Sequence, residues 1–398
     1  MPGQHSLLSP SAAKRWLHCT PSAVLESKVP EQESPYAAEG TLAHAIAERL
    51  LRCYSEVGRT TIIERIADVW RAQPLDPWAK SLKDQADAMD LDFWEMLDQV
   101  NNDYCEFVLT AWADAQVIDP DAVLLVEQRV DISGYVPDCS GTADCVIVGD
   151  CVLHIIDLKW GKGVKVNAQA NPQLELYALG VMDGCGKTYT SDMVKMTICQ
   201  PRLHHISTYE IKRANLMIWA ESYVRARAEQ ASQGRGLQQA GSWCQFCKVA
   251  GSCSTLKSLA THFAFKDSYE LDEEGLSTAL DVAPTIQTWL DRLNDLALRR
   301  LLDGQTIPDY KLVEGRSLRR ISDADKAVEH LHSIGYQDED IYKPRELKTI
   351  GDLEKMVGKK QFGALFADCV IKPTGKPTVV HDSDPRPAMT AAEFAFKE

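Results

Sequence analysis

The sequence predicts an α/β fold with a mixed central sheet flanked by helices, a helical N-terminal region and a small α+β C-terminal region. Three observations lead there. The first 120 or so residues repeatedly place apolar side chains at helical spacing. Three short runs rich in β-branched residues follow, VLLVEQRVDI, GTADCVIV and CVLHIIDLKW, separated by Gly, Pro and Asp. A helical run and two further strands then complete the order strand–strand–strand–helix–strand that a mixed sheet requires.

Taken in order, Ser9-Pro10 reads as an N-cap and N1 proline opening a short helix that stops near Thr20-Pro21, leaving Cys19 at a helix end. Leu42, Ile46, Leu50 and Leu51 set a helix over Glu39 to Tyr54, with His44 near its start. Further helices are expected from Ile62 to Ala72 and from Gln85 to about Gln116. After the three strands, Leu174, Tyr177, Ala178 and Val181 mark a helix in NPQLELYALGVM. Strands follow near Val194 to Cys199 and Ile206 to Ile211, then helices from Arg213 to about Ala231 and Leu276 to Leu302. YKLVEGRSLRRI resembles a strand, and the Pro- and Gly-rich end resembles a loose tail. These elements give a main domain over 1–265 with a helical insertion at about 60–118, an appendage over 266–370 and a tail over 371–398.

No run approaches the about 18 apolar residues that span a bilayer, and the first residues lack an apolar secretory stretch, so the protein is expected in the cytoplasm, without a membrane partner. The 12 cysteines are then reduced thiols rather than a disulfide framework. A net charge of −14 looks unsuited to nucleic acid, but it is unevenly spread. From Cys151 to Phe265 there are 13 Lys and Arg against 7 Asp and Glu, whereas Glu64 to Glu127 holds 15 acids against 4 bases and reads as a solvated helical face.

The positive stretch lies around the residues with chemical potential. Asp144, in Gly141-Thr142-Ala143-Asp144, and Asp157, in Asp157-Leu158-Lys159, lie on strands joined by a turn at Gly149-Asp150. Residues two apart on a strand share a face, so Asp157 and Lys159 project together, and pairing around the turn brings Asp144 beside them. Two carboxylates make a half-site for a hard divalent cation such as Mg²⁺ or Mn²⁺, and the lysine offsets charge on a phosphate. Gln173 and Tyr177, four apart, share a face of the next helix.

In this order G-x-x-D, D-x-K and Q-x-x-x-Y resemble the RecB-like branch of the PD-(D/E)XK nucleases, over about Glu39 to Ala231. The resemblance implies a restriction-endonuclease-like core and hydrolysis of DNA to 5′-phosphate products. It implies metal ligation by His44, Asp144, Asp157 and the Leu158 carbonyl, a catalytic role for Lys159, and positioning by Gln173 and Tyr177. Glu127, on the preceding strand, matches an acidic position seen in part of the family.

Cys244, Cys247 and Cys253 follow C-x₂-C-x₅-C, a spacing that lets three thiolates converge, and no nearby His or Cys makes a good fourth ligand. A lone upstream Cys19 with this triplet is similar to the iron–sulfur clasp of AddB-type and CRISPR-associated RecB-like nucleases, which implies a [4Fe–4S] cluster. Zn²⁺ on the same four thiols stays open. Cys139, Cys145 and Cys151 read as buried core thiols, and Cys53, Cys105, Cys185, Cys199 and Cys369 as packing residues.

Lys162, Lys165, Lys195, Arg202, Lys212, Arg213, Arg225 and Arg227 supply positive charge for DNA backbone, with Arg316, Arg319 and Arg320 as an extension. No segment reads as a recognition helix, so DNA ends or single strands are expected as substrate rather than a particular sequence. No P-loop is present, hence no ATP motor in this chain. The arrangement resembles stand-alone phage-type exonucleases of recombination or replication, with a single-strand annealing or single-strand-binding protein as partner. The alternative is a catalytically inactive DNA-binding or scaffold protein that keeps the metal clasp.

Overall fold

Five strands form one sheet in sequence order: β1 (Val123–Asp131), β2 (Ser140–Val148), β3 (Leu153–Leu158), β4 (Met193–Gln200) and β5 (His205–Lys212). The computed structural model describes residues 6–30, 35–57, 75–185, 191–264, 272–311 and 332. β1, β2 and β3 form an antiparallel meander, β3 and β4 run parallel, and β4 and β5 are antiparallel, so the sheet is mixed. The parallel pair is joined by a crossover helix, as its geometry demands. β3 (LHIIDL) is buried at every position because both faces of the sheet are covered.

One face carries α1 (Ala13–His18), the crossover helix α7 (Pro172–Cys185), α8 (Arg213–Trp219) and α9 (Arg225–Ser232). Trp16, Leu17, Leu174, Ala178, Leu216 and Ala228 pack there against Val146, Ile155 and Met196. The other face carries α3 (Pro35–Val57), α4 (Pro77–Ala88), α5 (Phe93–Gln99) and α6 (Glu106–Ile118). Leu42, Ile46, Leu50, Phe93, Leu97 and Val108 meet Cys145, Ile147 and Ile156 there. A short α2 (Ser22–Glu26) follows α1.

The expected continuous helix from Gln85 to Gln116 is instead broken. The α4 helix ends at Ala88, Asp90 takes a left-handed φ of 57°, and Asp92 caps α5 by accepting from the Trp94 and Glu95 amides. A π-helical stretch, Val100–Cys105, then joins α5 to α6. The helix expected over Ile62–Ala72 lies outside the described residues, as do the tail and all of YKLVEGRSLRRI beyond Lys311.

The chain divides into two units, Met1–Leu312 and Val313–Glu398. After α10 (Ser254–Ala264), the long helix α11 (Glu273–Leu302) therefore belongs to the first unit rather than to an appendage beginning at residue 266. The reason is close packing. Arg292 Nη2 donates to the Gln245 carbonyl at 2.8 Å, and a Cβ on Gly251 would stand 2.4 Å from the Arg292 carbonyl oxygen. No helix among the described residues is long and apolar enough to cross a membrane.

Candidate metal centre

The register of the meander lines up three carboxylates. Val126 pairs with Cys145 and Gln128 with Ala143, which sets Glu127 opposite Asp144. Cys145 pairs with Ile156, so one step further sets Asp144 opposite Asp157. At this level the regular sheet gives way. Glu127 adopts a left-handed φ of 51°, a conformation that costs a non-glycine residue about 1–3 kcal/mol. On β2, Ala143 packs in one core and Cys145 in the other, although residues two apart on a regular strand share a face. The reversal falls at Asp144.

Leu42, Ala43, Ile46 and Ala47 bury α3 against the sheet and leave His44 beside this irregularity. His44 Nδ1 lies 3.3 Å from Asp144 Oδ1, and Asp144 Oδ2 accepts from the Leu158 amide at 2.7 Å. Ligand atoms of His44, Glu127 and Asp144 all lie within 4.8 Å of one another. An imidazole and two carboxylates in that space fit Mg²⁺ or Mn²⁺.

Asp157 engages a different set. Its Oδ2 lies 2.7 Å from Lys159 Nζ, while Oδ1 accepts from Gln173 Nε2 at 2.9 Å. Gln173 Oε1 in turn accepts from Lys159 Nζ at 2.9 Å, and its Nε2 also reaches Tyr177 Oη at 3.3 Å. Asp157 Oδ2 is a buried oxygen that faces the Lys159 ammonium and has no other polar partner among the described residues. Such an oxygen suits a cation nearby. Tyr177 fits against β2 because Gly141 has no side chain: a Cβ there would stand 2.8 Å from Tyr177 Cε1.

The sequence therefore names the residues of the site but distributes them differently. It ranks Asp157 and the Leu158 carbonyl among the ligands and Glu127 at the margin. Here Glu127 joins His44 and Asp144, Leu158 contributes its amide to Asp144, and Asp157 faces Lys159 and Gln173.

Burial and charge shape the protonation of these groups. Burial, reinforced by Asp144, pushes Glu127 up to about 7. Burial raises Asp157 to about 6 against the pull of Lys159. For Asp144, burial is outweighed by His44, Lys159 and the Leu158 amide, which hold it below the usual carboxylate range. Burial disfavours the Lys159 charge, but Asp157 and Asp144 keep its pKa above the ordinary value. Packed carboxylates with raised pKa values mark a place where positive charge is wanted.

Cys19 caps α1, its amide bonded to the Arg15 carbonyl at 2.8 Å, and His18 stacks on Trp243 at 4.1 Å beside Cys244. Burial raises the thiols of Cys19, Cys244 and Cys247, the last to about 12. Cys19 also responds to Cys253, Cys244 to both of these, and Cys247 to Cys244. Glu26 fastens the two segments: its carboxylate accepts from Arg15 Nε and from the Lys248 amide, each at 2.7 Å. The Trp289 indole Nε1, on α11, is buried without a partner, and its ring packs on this cysteine group. The cysteines it packs with are Cys244, Cys247 and Cys253. Among the other thiols, Cys53 is half-buried; Cys105, Cys139, Cys145 and Cys199 are buried; but Cys151 is exposed in the β2–β3 turn, correcting the expectation of a core thiol. The Cys185 side chain and Cys369 lie outside the described residues.

The expected DNA-contacting cations are not all at this site. Lys162 and Lys165 are exposed on the loop directly after Lys159. Arg202 lies at the same end of the sheet, but it pairs with Glu39 and stacks over Trp160 with its guanidinium 5.5 Å from the ring centre. Lys212 pairs with Met193, at the opposite end of β4 from Gln200, and Arg213 follows it. Five residues of strand, about 17 Å, separate that end from the level of the candidate ligands, where Asp157 pairs with Ile198. Arg225 pairs with Glu221, and Arg227 lies over Tyr223. Arg316, Arg319 and Arg320 lie outside the described residues.

Glu39, Trp160 and Gln200 escape a reading of the sequence. Glu39 Oε1 accepts from Trp160 Nε1 at 3.3 Å as well as from Arg202, tying the start of α3 to the end of β3. None of the three carries a local signal; only the sheet brings them together.

The solved structure titled "Crystal structure of SSO0001" matches with 13% identity over 62% of this chain and 95% of that chain, at a TM-score of 0.22, too slight a likeness to inform fold or function. The family described as "Protein of unknown function (DUF2800)" matches residues 5–387, nearly the whole length, and the chain belongs to that family.

Proposed function

We propose that this protein is a metal-dependent DNA nuclease of the RecB-like PD-(D/E)XK kind, acting as an exonuclease on DNA ends or single strands without sequence preference. The observation that carries the reading is the alignment of Glu127, Asp144 and Asp157 across three neighbouring strands, with His44 on one side and Lys159 on the other. His44, Glu127 and Asp144 would hold Mg²⁺ or Mn²⁺, which supplies Lewis-acid polarisation of the scissile phosphate when bound. Gln173 and Asp157 hold the Lys159 ammonium in a fixed place. From there it orients the attacking water and offsets the charge that grows on the phosphate oxygens. Water adds to phosphorus, the bond to the 3′ oxygen breaks, and the products carry a 5′-phosphate and a 3′-hydroxyl.

Cys19, Cys244, Cys247 and Cys253 would hold a [4Fe–4S] cluster that joins the N-terminal helices to the end of the nuclease unit, with no redox role in hydrolysis. Absorption near about 400 nm separates it from Zn²⁺ on the same thiols. A single-strand annealing or single-strand-binding protein is the natural partner of such an enzyme.

The test is digestion of end-labelled linear and circular DNA, single- and double-stranded, by anaerobically purified protein in Mg²⁺, Mn²⁺ or EDTA. Metal-dependent shortening of linear DNA with circles spared is the expected result. Binding without cleavage under every condition would replace the reading with that of an inactive DNA-binding protein.

A further inference from the structure

We infer that the loop from Gly161 to Val166 is a binding site for backbone phosphates of the DNA strand, assembled by Gln200. The inference deepens the nucleic-acid reading above and rests on it for the identity of the ligand. Gln200 is 1% exposed at the end of β4, yet its side chain is fully used. Its Nε2 donates to the carbonyls of Val164 at 3.0 Å and Gly161 at 3.5 Å, and its Oε1 accepts from the Val166 amide at 2.8 Å. His205 Nε2 holds the Val166 carbonyl at 3.0 Å, and Ser207 Oγ accepts from the Ala168 amide at 3.0 Å. The loop is thus pinned along its inner side by residues of β4 and β5.

That pinning fixes the direction of the outer side. In a planar trans peptide the C=O of one residue and the N–H of the next point opposite ways. With the Gly161 and Val164 carbonyls turned in to Gln200, the N–H groups of Lys162 and Lys165 turn out. Among the described residues, no backbone N–H from Gly161 to Lys165 has a hydrogen-bond partner. Both lysine side chains are exposed, and nothing stands within 4 Å of where a Cβ would lie on Gly161 or Gly163. Outward amides on a rigid loop, paired with ammonium groups and open to approach, form an anion site. The loop begins two residues after Lys159, which places it beside the strand whose scissile phosphate meets the metal. Gln200 acts through the loop and is a positioning residue.

The experiment measures fluorescence anisotropy of a labelled single-stranded oligonucleotide with full-length protein in EDTA, across a salt series, for wild type, Lys162→Ala/Lys165→Ala and Gln200→Leu. The double variant should bind about tenfold more weakly and lower the slope of log K against log salt by about 1.4, two phosphate contacts' worth. Gln200→Leu should weaken binding with both lysines present. Because the lysines are exposed, the double variant folds even if Gln200→Leu does not. A double variant that binds within about twofold of wild type with an unchanged slope overturns the inference. Wild type that binds through this loop but never cleaves overturns the nuclease reading and leaves the phosphate site standing; wild type that cleaves while the double variant binds normally does the reverse.

Discussion

Gln173 Oε1 accepts a hydrogen bond from Lys159 Nζ at 2.9 Å while the Nε2 of the same amide donates to Asp157 Oδ1 at 2.9 Å. One side chain on α7 thereby sets the distance between the cation and the carboxylate of β3. Gln173→Glu, which keeps the acceptor and loses the donor, should place a third negative charge against Asp157. Cleavage should fall by about 10- to 100-fold, the usual effect of removing a group that orients a metal-site residue. Single-turnover rates at saturating DNA check this, and an unchanged rate would show that Gln173 only packs.

Glu127 combines a strained backbone with a carboxylate crowded by Asp144. Glu127→Gln should therefore leave the metal-free protein as stable as wild type or more so, while weakening Mn²⁺ binding by at least about tenfold. Titration calorimetry with Mn²⁺, beside thermal melts with and without metal, measures both effects. Wild type should gain about 2.7 kcal/mol at a hundredfold excess of metal over its Kd, and the variant much less.

The contrast between Glu127 and Asp157 shows what the sequence discloses. Asp144, Asp157, Lys159, Gln173 and Tyr177 are legible because strand alternation and helical spacing tell which side chains travel together. Glu127 is named only through the family resemblance, because nothing in VLLVEQRVDI announces a left-handed residue in mid-strand. The strand pairing that sends Lys212 to the far end of the sheet is likewise a property of the fold rather than of any local run. The break before α5 is readable: Asp92 with Glu95 three residues later is a helix-start signature that the apolar periodicity masks.

Glu175 sits on α7, 7% exposed, with no hydrogen bond to its carboxylate among the described residues. Burial pushes its pKa up to about 7 from an ordinary 4.5. The folded state then holds a proton that the unfolded chain releases between those values, so this group lowers stability as pH rises from about 4.5 to about 7. Glu175→Gln should raise the melting temperature at pH about 8, by up to about 3 kcal/mol of stability, and change it little at pH about 4.5. Equal effects at both pH values would rule this out.

The clasp makes a separate prediction. Cys247→Ser should bleach absorption near about 400 nm and lower the stability of the unit by a few kcal/mol, about what a metal tie across a long loop contributes. Glu26→Gln should weaken the same junction by about 1–3 kcal/mol with the absorption retained, since Arg15 Nε and the Lys248 amide keep only a neutral acceptor. Chemical denaturation followed by visible absorption and circular dichroism distinguishes the two.

The most direct test of the central claim is single-turnover digestion of end-labelled linear DNA in Mn²⁺ by wild type, Asp144→Asn and Lys159→Ala, each first shown to bind the DNA. The account predicts cleavage by wild type and a loss of at least about a thousandfold in both variants with binding retained. Cleavage by either variant at the wild-type rate, or none by metal-loaded wild type, would contradict it.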